Sequence, residues 1–146
     1  MTADIFQLHP QLDNDCIHLG KLRLCRVLLM NESRYPWLIL VPERSGMTEL
    51  FELAEADQLQ LIRESCVIAH HLKRAFAADK LNVAAIGNLV PQLHVHHVVR
   101  YRTDPAWPAP VWGRLPPEPY QPNALESCLD KLRLAEIPDF EPAAIG

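Results

Sequence analysis

Hydrophobic and polar positions along the chain change period several times, and each change marks an element. Three short runs rich in Ile, Val and Leu cover residues 16–19, 22–30 and 37–41. They are separated by Gly20-Lys21 and by the polar stretch from Asn31 to Pro36, both of which read as turns. The pattern predicts three antiparallel strands. Thr48 can cap a short helical turn over residues 48–53, and Asp57 can cap a longer helix running to about residue 78. In that helix Leu59, Ile62, Cys66, Ala69 and Phe76 recur at three- and four-residue steps and define the expected buried face. Residues 81–86 read as a fourth strand, Gly87-Asn88 as a turn and residues 93–101 as a fifth strand. A last helical pattern over residues 124–134, capped by Asn123, places Leu125, Cys128, Leu129 and Leu132 on one side. The order β-β-β, helix, β-β predicts an α+β domain: an antiparallel sheet of about five strands, one main helix, a short helix and a C-terminal helix.

Length and composition narrow the picture. A chain of 146 residues, 49% apolar, supports one hydrophobic core and hence a single domain. Nine of the 13 prolines lie beyond residue 104, so residues 105–146 form a proline-rich extension of the domain built by residues 1–104, and neither a central strand nor one long helix fits there. Fourteen Lys and Arg against 18 Asp and Glu give a formal charge of −4, which argues against a nucleic-acid polymer as partner. The apolar runs fall well short of the ~20 residues of a membrane span, and the opening MTADIFQLHP has no basic region followed by an apolar block. Cys16, Cys25, Cys66 and Cys128 are scattered without a C-x-x-C pair, as reduced thiols in a cytoplasmic protein are. The expectation is a cytoplasmic protein with no membrane partner.

Chemistry concentrates in one strand. Three of the seven histidines fall in residues 92–100, and the two-residue period of a strand puts Gln92, His94, His96, Val98 and Arg100 on one face. Leu93, Val95, His97 and Val99 share the other, expected to lie under the helix, which makes His97 a core or interface histidine. Two imidazoles roughly 7 Å apart on one face can bind a metal or work together on one anion. In the second case a neutral ring acts as nucleophile toward phosphorus, and a second, protonated ring binds phosphate oxygens or assists the leaving group. His70 and His71, late in the long helix beside Lys73 and Arg74, read as structural. Arg100 and Arg102 are either solvated charges or a local attraction for an anionic substrate. Trp107 and Trp112 either stack on a base, cover a partner subunit or pack the extension on its own domain.

The run GNLVPQLHVHHVVR, residues 87–100, resembles the signature of the histidine-triad (HIT) superfamily of nucleotide hydrolases and transferases. Val90, two residues before the first triad place, and Arg100, four after the third, set the register. Gln92 then stands where the first histidine belongs, with His94 in the middle place and His96 in the third. The resemblance extends over about residues 14–104. It includes Asn31 at a ribose-binding position, and Tyr35-Pro36-Trp37 where the family commonly has Pro-Gly-His, so a supporting histidine is also missing.

The resemblance implies that His94 attacks the α-phosphorus of a nucleoside phosphoramidate or dinucleoside polyphosphate, forming a nucleotidyl-histidine that water hydrolyses. It further implies that His96 contacts phosphate and helps the leaving group, that Asn88 touches phosphate, and that Asn31 binds ribose. Gln92 can supply a hydrogen bond but no titrating proton, so acid–base support from that place must come from elsewhere or be absent. The implied partners are a purine nucleotide, adenosine-type, and a second copy of the chain in a homodimer, with no cofactor required. Two other readings remain open: a nucleotide-binding module with little turnover because of Gln92, and a metal site on His94 and His96.

Overall fold

The computed structural model describes residues 5–144. Six strands form one antiparallel sheet: β1 Cys16–Lys21, β2 Cys25–Met30, β3 Trp37–Pro42, β4 Lys80–Ala84, β5 Val95–Arg100 and β6 Glu141–Pro142. Their spatial order is β4-β5-β3-β2-β1-β6. Three α-helices accompany it, α1 Pro10–Asp15, α2 Glu55–Ala75 and α3 Pro122–Leu132, with short 3-10 turns at Leu50–Glu52 and Leu134–Glu136.

The all-apolar run of β3 is explained by its place. It is buried along its whole length, flanked by β2 and β5 and covered on both faces. On one face Leu38, Leu40 and Val99 pack against Leu61, Ile68 and Leu72 of α2, with Cys128 and Leu132 of α3 in the same cluster. On the other, Ile39, Trp37 and Val98 pack against Ala106 and Val111 of the proline-rich extension and against Leu12 of α1. The extension is therefore the second covering layer of the sheet.

Several expectations are corrected. The first hairpin turns at residues 22–24, and Gly20-Lys21 belong to β1. Gly20 is needed there because β6 lies against it: a Cβ at that position would sit 2.1 Å from the Glu141 carbonyl oxygen. The two-residue strand β6 has no apolar alternation by which to be recognised. Helix α2 starts at Glu55 after Ala54, and Asp57 is no cap but accepts two hydrogen bonds from Arg44, at 2.7 and 3.1 Å.

The buried face of α2 is also different. It is formed by Leu61, Glu64, Ser65, Ile68 and Leu72, whereas Leu59 and Ile62 are 57% and 53% exposed and Cys66 is exposed as well. Two polar residues lie in the true stripe. Glu64 accepts the backbone N–H groups of Leu24 and Cys25, and the Ser65 hydroxyl meets His97 Nε2 at 2.7 Å. Polar groups with such partners are buried at little cost, so counting apolar residues rotates the helix to the wrong face. Helix α3 begins with Pro122 at its first position after Gln121, ahead of the expected cap Asn123, and ends where Arg133 turns left-handed at φ 46°.

Candidate active site

Strand β5 carries His96, Val98 and Arg100 toward the extension and His97 and Val99 toward α2. His94 lies just ahead of the strand. Its Nδ1–H donates to the carbonyl oxygen of Gln92 at 2.7 Å, which leaves Nε2 as the unprotonated ring nitrogen of the neutral side chain. Burial pushes His94 below the ordinary histidine value; the Gln92 carbonyl works in the opposite direction, and nearby His9 adds to the lowering.

His96 is fixed in the other tautomer. The indole Nε1–H of Trp37 donates to its Nδ1 at 3.0 Å, so the neutral ring carries its proton on Nε2. Burial, helped by His94 and His97, pushes its pKa down to about 3. The expectation of a second histidine that stays protonated is corrected: His96 is a neutral donor in the free protein, and a bound phosphate would favour its cationic form. The two rings meet edge to face, centroids 4.8 Å apart at 71°. Trp112 stands 5.3 Å from the His96 ring and 5.9 Å from Trp37, so an aromatic wall from two distant segments holds the imidazoles.

A cleft of about 770 Å³ opens over these rings. His94, His96 and Asn88 line it together, with Gly87, Val90, Met30, Ile39 and Trp112. Pockets of ~300–1,000 Å³ hold small ligands, and this cleft is of that size. Asn31 lies apart, in an adjoining cavity of about 500 Å³ that shares Asp15, Met30, Leu89 and Trp112 with the cleft. Its Oδ1 accepts the Tyr120 backbone N–H at 2.9 Å. Gln92 does not line the cleft; its amide is bonded to the backbone of residues 7 and 9.

Other candidates resolve differently. Arg100 is no solvated charge: at 1% exposure it pairs with Asp104, Asn82 and the Ala109 carbonyl and anchors the extension. Arg102 is exposed, and Trp107 packs beside Arg100 with 5.6 Å from its ring centroid to the guanidinium carbon. His71 binds the Leu132 carbonyl and ties α2 to α3. Among the described residues no group of three His, Cys, Asp or Glu is placed to hold a metal ion.

Sequence reasoning missed Trp37 and His9 as members of this region. Trp37 had a readable signal, because it occupies the place of a supporting histidine and has an N–H of its own. Its role predicts that Trp37→Phe leaves His96 Nδ1 buried without a donor. The expected results are a stability loss of about 1–3 kcal/mol in urea unfolding and mixed tautomers in the His96 nitrogen spectrum.

The sequence pattern of the HIT domain matches residues 11–103. The chain belongs to the HIT family. Solved HIT structures agree over nearly the whole chain. A histidine triad protein from Marinobacter aquaeolei is 51% identical, covering 89% of this chain and 95% of its own, with a TM-score of 0.87. One from Bradyrhizobium japonicum is 42% identical over 92% of this chain and 99% of its own, TM-score 0.88. One from Sinorhizobium meliloti is 44% identical over 87% and 94%, TM-score 0.84. A comparison with the curated proteins gives no match. Each match covers more of this chain than the residues 11–103 of the HIT domain, so the likeness reaches beyond that domain.

Burial of neutral imidazoles in this HIT domain also sets an acid limit on stability. His94, His96 and His97 all titrate lower in the folded chain than the ordinary 6.5, with His96 near 3 and His97 near 4. Between those values and 6.5 the unfolded chain binds more protons, so stability falls as pH falls through that window, by up to ~1.4 kcal/mol per pH unit for each group. Thermal melts are expected to show a near-constant Tm above pH 7 and a progressive drop from pH 6.5 to 4.

Proposed function

We propose that the chain hydrolyses nucleotides at the α-phosphate, with a nucleoside phosphoramidate or a dinucleoside polyphosphate as substrate and an adenosine-type purine as base. The observation that carries this reading is His94, a neutral imidazole whose Nδ1 proton is held by a backbone carbonyl while Nε2 has an open lone pair beside a cleft of nucleotide size. His94 Nε2 would bond to the α-phosphorus as the bond from phosphorus to the amine or phosphate leaving group breaks. His96 Nε2–H, steadied by Trp37, would donate toward the leaving atom. Water would then attack the phosphorus, the P–N bond to His94 would break, and the nucleoside monophosphate would depart. Asn88 at the cleft rim would contact phosphate, and Asn31 in the adjoining cavity would take the ribose.

The test is incubation with adenosine phosphoramidate and with a diadenosine polyphosphate, followed by chromatography for AMP. Turnover supports the hydrolase. Micromolar nucleotide binding by calorimetry with no product selects the second reading, a nucleotide-binding module. One observation favours that alternative: the Gln92 amide bonds the backbone of residues 7 and 9 and its side chain does not line the cleft.

A second copy of the chain is the proposed partner. Strand β4 is an open sheet edge with Val83 49% exposed, and Leu59 and Ile62 on α2 are uncovered apolar side chains. Light scattering is expected to give twice 16.6 kDa. Among the described residues no helix is long and apolar enough to cross a membrane, and the proposed location is the cytoplasm.

A further inference from the structure

Gln92 departs from the family signature, and its side chain makes an unusual pair of contacts. Its Oε1 accepts the backbone N–H of His9 at 2.8 Å, and its Nε2 donates to the carbonyl oxygen of Gln7 at 2.9 Å. The amide presents an oxygen and an NH2 side by side, as a neighbouring strand's peptide groups do, and so grips residues 7 and 9 of an extended segment. An imidazole has one ring nitrogen on either side and cannot make both bonds to one backbone. The residue in the first signature place is therefore a clamp that fastens the N-terminal segment beside β5.

The clamp delivers a side chain. His9 lines the same cleft as His94 and His96. It is half-buried, and its Nδ1 accepts the Gln11 backbone N–H at 3.0 Å, capping α1 directly ahead of Pro10. With Nδ1 committed as an acceptor, the neutral ring bears its proton on Nε2, the atom left to meet a ligand. His9 also lies close enough to His94 to add to the lowering of its pKa.

We infer that His9 is the third imidazole of this site, a hydrogen-bond donor through Nε2–H to the phosphate chain of the bound nucleotide, and that Gln92 is the residue that positions it. The inference rests on the nucleotide reading above and deepens it. The donor missing from the first signature place returns from a segment 83 residues away in sequence.

The decisive variant is His9→Asn, because asparagine retains an N-cap acceptor and the backbone N–H that Gln92 holds while removing the imidazole. An unchanged Tm shows that the fold is kept. With adenosine phosphoramidate and a diadenosine polyphosphate, kcat/KM is expected to fall about 100-fold for both, the scale of losing one oriented donor. A loss equal for both leaving groups marks contact with the retained phosphate. Gln92→Ala should lower kcat/KM as well, and the double variant should be no worse than His9→Asn alone, because Gln92 acts through His9.

A readout free of turnover separates the two ideas. In histidine-nitrogen NMR of the wild-type protein, His9 should appear as the Nε2–H tautomer, and millimolar AMP should shift its Nε2 resonance. His9→Asn should weaken AMP binding about 10-fold by calorimetry. If the wild type releases no AMP but these shifts and losses appear, the hydrolase reading falls and the His9 assignment stands. If AMP leaves the His9 ring unmoved and His9→Asn binds and turns over as the wild type does, the His9 assignment is wrong whatever the activity of the protein.

Discussion

Replacing His94 by alanine is expected to abolish release of AMP, with kcat/KM falling by about 1,000-fold or more, because the variant has no atom to form the bond to phosphorus. Substrate binding should persist, since Asn88, His96 and the walls of the cleft remain in place. Rapid quenching of the wild-type reaction with labelled substrate should trap a nucleotide bound to the protein through an acid-labile, base-stable P–N bond, and the variant should trap none. His94→Gly with added imidazole should recover part of the rate, as the small molecule enters the vacated volume and attacks in the side chain's stead. Wild-type release of AMP by His94→Ala would transfer the nucleophile to another group. The lowered pKa of His94 makes a second result specific: with this ring as the proposed nucleophile, the acid limb of the kcat/KM profile should lie below that of an ordinary histidine.

The largest effect on stability is expected at Asp104. Its side chain and that of Arg100 are 3% and 2% exposed, and the guanidinium is held by Asp104 at 2.8 and 3.1 Å, by Asn82 Oδ1 at 2.7 Å and by the Ala109 carbonyl at 2.8 Å. Asp104 in turn accepts the backbone N–H groups of Tyr101, Ala106 and Trp107. Burial alone would raise the Asp104 carboxyl, but Arg100 and these donors prevail and hold it below the usual carboxylate value. Asp104→Ala leaves the guanidinium buried without its counter-charge, at a cost of about 3–5 kcal/mol. At ~2–4 °C per kcal/mol for a chain of this size, Tm should fall by roughly 10 °C. Replacing both residues by apolar ones of similar volume should restore much of the loss, because no uncompensated charge remains. A loss of activity should accompany the single variant, because this pair joins the sheet to the extension that carries Trp112 over His96.

The fold was legible where burial follows simple periodicity. The apolar run of β3 and the alternation around His94 and His96 led to the right strands and to the two imidazoles sharing a cleft. The face of α2 was not legible, because its stripe contains Glu64 and Ser65, whose partners Leu24, Cys25 and His97 lie on other elements. Trp37 could be noticed as a departure from a family pattern, but its bond to His96 depends on the register of β3 against β5, where Ile39 lies opposite His96. His9 carried no signal: nothing around a lone histidine before a proline shows that an amide far along the chain bonds its backbone beside the cleft. Arg100 read as either a solvated charge or an attraction for an anionic substrate, because its acceptors come from a neighbouring strand and from the loop after β5.

The short strand β6 bears on assembly size. Glu141–Pro142 pairs with Gly20 and Lys21 and caps the sheet at β1. The pairing covers the end of β1, while β4 on the opposite border has no further strand beside it among the described residues. Where two copies join through β4 across a two-fold axis, as proposed above, that border is used up in the pair. In that arrangement β6 leaves less of the opposite border free for strand addition, which disfavours open-ended growth.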